Sequence, residues 1–341
     1  MTNPMITMPG VHDTARVDVA VRTEGLRKVF GDTVAVDGVD LQVRRGMVYG
    51  VLGPNGAGKT TMLSMLATLL PIDGGQASVF GVNVQERPHV VRQLIGLTGQ
   101  YASVDENLTG RENLWLFARL QGLRSSVAKQ RANELLDRFD LTDAANKQIA
   151  QYSGGMRRRL DLAASLIMSP PLIFLDEPTT GLDPRTRGQM WETIRDLVAS
   201  GCTVLLTTQY LDEADQLADR IAVIDRGRLV AEGTSDDLKA SVGTSSLQLT
   251  LSDAEQLAAA ANIVEQALGS RPILSPEAGR LTVPLAQPDA AIDALLVLRQ
   301  SDVSVAELNV AKPSLDEVFL TITGHDTGEP DPSTSQDGAA R

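Results

Sequence analysis

Three short segments carry residue types whose spacing could do phosphate chemistry. Gly53-Pro54-Asn55-Gly56-Ala57-Gly58-Lys59-Thr60 fits the pattern G-x-x-x-x-G-K-[ST]. Its glycines would let backbone N–H groups converge on phosphate oxygens. Lys59 would reach the β- and γ-phosphates of a nucleotide, and the Thr60 hydroxyl would ligate Mg²⁺. Further on, Asp176 and Glu177 close the apolar run Leu172-Ile173-Phe174-Leu175. Asp176 would hold Mg²⁺ through water, while Glu177 would take the proton of a water attacking the γ-phosphate. Between these segments, Ser153 can cap a helix whose free N–H groups bind phosphate, and Gly154 and Gly155 permit close approach.

Such residues need a strand on one side of the loop and a helix on the other. Met47 to Leu52 is apolar, and Thr61 to Leu69 has helical spacing, which brings Thr61 into the nucleotide-binding set. Met47 to Leu52, Leu172 to Leu175 and Thr203 to Leu206 are nearly continuous apolar runs that predict buried central strands. From Val17 to about Lys239, short β-branched runs alternate with longer helical ones, predicting an α/β domain with a mostly parallel sheet covered on both faces. Thr109 and Glu112 form a T-x-x-E capping box that opens a helix-rich insert ending in the helix begun by Ser153. Ile221 to Asp225 and Leu229 to Glu232 flank Arg226-Gly227-Arg228 as an edge hairpin. Beyond Lys239 the order β-α-β-β-α-β, closed by a helix at Ser314 to Leu320, predicts a small α+β, ferredoxin-like domain.

The 341-residue chain has a formal charge of −12, which argues against a nucleic-acid partner. Arg157-Arg158-Arg159 is its only compact basic run, and it is too short to offset that charge. A single cysteine, Cys202, excludes an internal disulfide and reads as a small apolar filler at a strand start. No apolar run reaches the roughly 18 residues of a membrane span, so any membrane role is expected to come through a partner. The opening residues resemble neither a signal nor a transit peptide.

Taken in order, these motifs resemble the nucleotide-binding subunits of ABC transporters over roughly Val17 to Lys239. Tyr152-Ser153-Gly154-Gly155-Met156 is similar to the family signature L-S-G-G-Q and differs at both ends. The resemblance implies ATP and Mg²⁺ as ligands, a multi-span membrane permease as partner, and a homodimer of ATPase subunits closing head to tail. Ser153, Gly154 and Gly155 would then serve the nucleotide held by the second subunit. It further implies that Gln100 senses the metal and links the site to the permease, and that Asp183, in Gly181-Leu182-Asp183-Pro184, couples the two subunits. Phe30 would stack on adenine, which leaves discrimination between ATP and GTP open. Where the family usually has a histidine facing the γ-phosphate, this chain has Gln209, which can donate a hydrogen bond but cannot take up a proton.

Thr207-Thr208-Gln209-Tyr210-Leu211-Asp212-Glu213-Ala214-Asp215 and Pro313-Ser314-Leu315-Asp316-Glu317-Val318-Phe319-Leu320 resemble strings of the daunorubicin-resistance type. ATPases of that type drive drug or lipid exporters. The resemblance implies an ATPase subunit on the cytoplasmic face of the membrane that powers export of an amphipathic drug, antibiotic or lipid. An importer subunit and a soluble ATPase switch are the competing readings. The expected organisation is a P-loop NTPase of ABC type over 17–240, with its helical subdomain at about 108–165, and a C-terminal extension over 241–323. Disordered termini are expected over 1–16 and 324–341. The extension could lock the ATPase dimer, hold it to its partner or simply stabilise the fold.

Overall fold

The computed structural model describes residues 18–99, 104–242, 245–285, 287, 289–311 and 314–324. Residues 1–16, the tail beyond 324 and Gln100 lie outside the described residues. The chain forms two compact units. The first comprises residues through Val51, Gly56–Thr208 and Arg226–Leu229, and the second comprises Leu52–Asn55, Gln209–Asp225 and everything from Val230 onward.

In the first unit, β1 (Val19–Phe30) and β2 (Thr33–Arg44) pair antiparallel around Gly31, whose φ of 55° suits the tight turn. β3 (Val48–Leu52) leads through the phosphate-type loop into α1 (Lys59–Leu66). β4 (Gly74–Val79) and β5 (Val82–Asn83) then return to the first strands, giving an antiparallel sheet of order β2-β1-β4-β5. This sheet departs from the single, mostly parallel sheet expected from the sequence. The reason lies in burial: β2 alternates exposed and buried positions over most of its length, as a sheet with one wet face does, whereas β3 is buried at every position.

After α2 (Pro88–Leu94) come β6 (Ile95–Thr98), the helical insert α3 (Gly110–Leu120) and α4 (Ser125–Arg138), and then α5 (Gly154–Ser165). β7 (Leu172–Asp176), α6 (Pro184–Ala199) and β8 (Thr203–Thr208) complete the unit. β3, β8, β7 and β6 lie side by side in that order, and β6–β7 and β7–β8 are parallel. β7 and β8 are buried throughout, so their last residues emerge together at one edge of a rigid sheet. The capping box expected at the head of α3 is present: Thr109 Oγ1 accepts the Glu112 N–H, and Glu112 accepts the Thr109 N–H at 2.8 Å. Cys202 is buried just before β8, and burial pushes its thiol up to about 11, so it packs as an inert apolar group.

The second unit contains α7 (Leu211–Leu217), the neighbouring strands β9 (Arg220–Asp225) and β10 (Arg228–Gly233), and α8 (Ser235–Val242). Lys239 on α8 pairs with Asp215 on α7 at 2.6 Å. The chain continues through β11 (Ser245–Leu251), α9 (Leu257–Leu268), β12 (Ile273–Ser275), β13 (Arg280–Leu285), α10 (Ala290–Gln300) and β14 (Val305–Ala311). The sheet order β12-β13-β11-β14, antiparallel throughout, is that of a ferredoxin-like fold. Leu247, Leu249, Leu281 and Val283 face Ala260, Val264, Ala294 and Leu298 of the two helices in its core. The last helix, α11 (Leu315–Thr323), leaves that core. Its Leu315, Val318 and Phe319 pack instead with Leu211, Ala214, Ile221, Val223 and Leu238.

Candidate functional site

Gly58 precedes α1 with φ 98°, and a Cβ there would collide with the carbonyl oxygen of Ala35 on β2. Glycine is therefore required twice over at this position, by backbone conformation and by space. The turn at Gly227 supports the same loop, donating its N–H to the Ala57 carbonyl at 3.0 Å and accepting the Asp37 N–H at 2.8 Å. The first turn of α1 thus starts from a braced position, with Lys59 and Thr60 leading the helix.

Both residues meet the end of β7. The Thr60 hydroxyl donates to Asp176 Oδ1 at 3.1 Å, and Thr207 on β8 donates to the same oxygen at 2.5 Å. Lys59 Nζ lies 3.7 Å from Glu177 Oε1, and these side chains are only 4% and 6% exposed. Burial lowers the Lys59 ammonium from its ordinary range, opposed by the charges of Glu177 and Asp176. Of the residues singled out in the sequence, Lys59, Thr60, Asp176 and Glu177 are brought into one cluster.

Glu177 adopts φ 47°, the left-handed region that a branched or bulky residue enters at a cost of about 1–3 kcal/mol. Its surroundings hold it there. Its N–H reaches both the carbonyl and the hydroxyl of Thr207 at 3.1 Å, and its Oε2 accepts the Thr180 hydroxyl at 3.2 Å. Arg158, on α5, grips the other side of the same backbone. It donates to the carbonyls of Asp176 (2.8 Å), Glu177 (3.0 Å), Pro178 (3.0 Å) and Gly99 (2.6 Å). Neither Arg158 nor Thr207 stands out in the sequence as a site residue. One belongs to a short basic run and the other to a strand, and only the approach of α5 and β8 to the end of β7 reveals them.

Ser153 caps α5 by accepting the Met156 N–H at 3.3 Å. Gly154 is exposed with open space where a Cβ would lie, while a Cβ on Gly155 would collide with Thr186 Cγ2. Asp183 caps α6, its Oδ1 accepting the N–H groups of Arg185 (3.1 Å) and Thr186 (3.0 Å) and its Oδ2 the Thr186 hydroxyl (2.6 Å). Those bonds, led by the Thr186 hydroxyl, lower its carboxyl below the ordinary aspartate range. Phe30 is 47% exposed at the end of β1, with the Lys28 ammonium 5.3 Å from its ring centroid. Its exposed ring is free of the core. Gln209 is half-buried and follows the last residue of β8.

Thr60 and Asp176 offer a hydroxyl and a carboxylate, hard oxygen donors that suit Mg²⁺. Among the described residues no group of three or more His, Cys, Asp or Glu could hold a metal ion. That donor set fits a cation that takes its remaining ligands from phosphate and water.

Comparison with known proteins agrees with this arrangement. The ABC transporter family matches residues 36–180, and residues 233–323 match the family described as ATP-binding protein DrrA1-3-like, C-terminal domain. The chain is 54% identical over 306 residues to the daunorubicin/doxorubicin resistance ATP-binding protein of Streptomyces peucetius, covering 90% of this chain and 93% of the relative. It is 44% identical over 317 residues to a doxorubicin resistance ATP-binding protein of Mycobacterium tuberculosis, covering 90% and 94%. Among solved structures it resembles a dimeric ATP-binding cassette in a post-hydrolysis state bound to ADP and Pi. The TM-score is 0.57 at 26% identity, over 63% of this chain and 98% of that one.

Proposed function

The chain belongs to the ATP-binding proteins of ABC transporters, and from that premise we propose that it hydrolyses ATP with Mg²⁺ to power export through a separate multi-span permease. The cargo is an amphipathic drug, antibiotic or lipid, and the ATPase works as a homodimer on the cytoplasmic face of the membrane. No helix among the described residues is long and apolar enough to cross a membrane, so membrane attachment rests on the permease. The observation that carries the reading is the cluster in which Lys59 faces Glu177 at 3.7 Å while Thr60 bonds Asp176 at 3.1 Å.

Each residue has a role in that reading. Gly53, Pro54, Asn55, Gly56, Ala57 and Gly58 wrap the phosphates, with Thr60 and Thr61 following at the positive end of α1. Phe30 stacks on the adenine. Lys59, drawn from Glu177 by the more highly charged β- and γ-phosphates, leaves that carboxylate able to accept the proton of the attacking water. Thr60 and Asp176, with Gln100, hold Mg²⁺, which when bound neutralises charge developing on the phosphate oxygens. Gln209 donates a hydrogen bond toward the γ-phosphate. Ser153, Gly154 and Gly155 present the N-terminus of α5 to the nucleotide of the second subunit, and Asp183 lies in the segment that joins the two subunits.

The test is Glu177→Gln, assayed for ATP binding, turnover and assembly with and without a co-expressed permease. Turnover should fall by about 10² to 10⁴ fold while ATP binding persists, the usual range for loss of a general base. The variant should also accumulate an ATP-bound dimer and co-purify with the permease. Turnover that survived the change would remove Glu177 from its role, and binding without dimer or permease would leave a soluble switch in place of an exporter subunit.

A further inference from the structure

Arg158 joins three parts of the first unit that are far apart in sequence. It stands on α5, about one and a half turns beyond the Ser153 cap. Its Nη1 donates to Gly99, one residue past the end of β6, and its Nη2 donates to both Asp176 and Glu177. Its Nε donates to Pro178. A guanidinium is the only side chain with enough rigidly arranged donors to satisfy carbonyls pointing from two directions at once. Two of those carbonyls belong to the peptide groups that flank the Glu177 Cα, at the residue whose φ is 47°.

We propose that Arg158 is a positioning residue: it holds Glu177 in its left-handed conformation and ties that conformation to the placement of α5. The inference rests on the ATP-hydrolase reading, because it assigns Arg158 an effect on Glu177 and none on nucleotide contacts. A shift at the Ser153 end of α5 would move a guanidinium bonded to the Glu177 and Gly99 carbonyls. The same helix that presents Ser153, Gly154 and Gly155 outward thereby governs the alignment of this subunit's own base. The neighbouring arginines do other work. Arg157 pairs with Glu106 at 2.9 Å on the surface, and Arg159 donates to the Phe139 carbonyl at 3.1 Å.

The experiment uses the full chain and compares wild type, Arg158→Met, Arg158→Lys, Arg157→Ala, Glu177→Gln and the double variant Arg158→Met/Glu177→Gln. MgATP is the probe, and melting curves run alongside. For Arg158→Met the expected result is a kcat about 10- to 100-fold below wild type, with KM for ATP within about threefold, the mark of misalignment at the reacting centre. Arg158→Lys, which retains one or two of the bonds, should recover part of kcat, and Arg157→Ala should stay within about twofold of wild type. The decisive comparison is the double variant, which should be no slower than Glu177→Gln alone if Arg158 acts through Glu177.

A folded Arg158→Met with wild-type kcat, or a loss that multiplies with that of Glu177→Gln, would overturn the proposal. If Arg158→Met does not fold, Arg158→Lys alone and combined with Glu177→Gln gives the same two outcomes. A wild-type chain that binds ATP without hydrolysing it would instead remove the hydrolase reading, and the proposal with it.

Discussion

Lys59 Nζ lies 3.7 Å from Glu177 Oε1, with both side chains almost fully withdrawn from solvent. The ammonium that should grasp phosphate and the carboxylate that should take up a proton are paired as counter-ions. Neither charge has to be buried alone, and Asp176 adds a second negative charge that acts on Lys59.

Proton linkage follows from the same pair. Burial lowers the Lys59 pKa, and phosphate charge next to Nζ should raise it again. Binding of a non-hydrolysable ATP analogue should therefore take up protons at alkaline pH, by an amount that grows as pH approaches the lowered pKa and vanishes well below it. Stability carries the same sign. The unfolded chain holds the Lys59 proton more tightly, so this group's contribution rises with pH between its folded and unfolded pKa values. Calorimetry in buffers of different ionisation heat, repeated over a neutral-to-alkaline pH series, measures the binding linkage, and proton uptake that stays flat across the series would contradict it.

Thr207 should matter although it contributes no charge. Its hydroxyl donates to Asp176 at 2.5 Å and accepts the Glu177 N–H at 3.1 Å. Thr207→Val keeps the shape of β8 and removes both bonds. We expect a loss of about 1–3 kcal/mol in unfolding free energy. Turnover should fall by up to about 100-fold, because the two carboxylates lose their shared reference point. Denaturant unfolding and steady-state assays separate the two effects.

Gly154 and Gly155 should respond oppositely to an added methyl group. A Cβ at Gly155 meets Thr186 Cγ2, so Gly155→Ala should cost about 1–3 kcal/mol as overpacking between α5 and α6. Gly154 has open space, and Gly154→Ala should leave the melting temperature unchanged or slightly raised. In the Glu177→Gln background, Gly154→Ala should nevertheless reduce the ATP-bound dimer seen by size-exclusion chromatography. Undiminished dimer would mean that Gly154 does not face a second subunit's nucleotide.

Glu317 caps α11 from a buried position, its Oε1 accepting the Ser314 N–H at 3.2 Å and the Ser314 hydroxyl at 3.3 Å. Burial raises its carboxyl above the ordinary glutamate value, outweighing those bonds. The folded state thus binds this proton more tightly than the unfolded chain does. Its contribution is present in full below the unfolded pKa and is lost as pH rises through the folded one. Glu317→Gln keeps the accepting oxygen without the charge, so it should melt at least as high as wild type near neutrality, with the advantage shrinking on acidification. Melting curves across pH decide it, and a variant that melts lower than wild type near neutrality would show that the buried charge is better compensated than its surroundings suggest.

The phosphate-type loop, the Asp176-Glu177 pair and the Ser153 cap were legible because each depends on local sequence. A glycine at 58, a Lys-Thr pair opening a helix and an apolar strand ending in two acids carry their chemistry in residue type and spacing. The C-terminal order β-α-β-β-α-β was legible for a similar reason, since alternation and helical period change at each boundary. The antiparallel sheet of β1, β2, β4 and β5 was not, because its two hairpins become one sheet only through the pairing of β1 with β4, strands separated in the chain by β2, β3 and α1, and such a pairing leaves no local mark. The left-handed Glu177, the Thr207 hydroxyl shared by Asp176 and Glu177, and the hold of Arg158 on Gly99 and Glu177 belong to tertiary structure alone. Sequence by itself determined which groups could do the chemistry. Their alignment was decided by packing, because backbone carbonyls have no residue-type signature and become a binding surface for a guanidinium only when α5 is laid against the ends of β6 and β7.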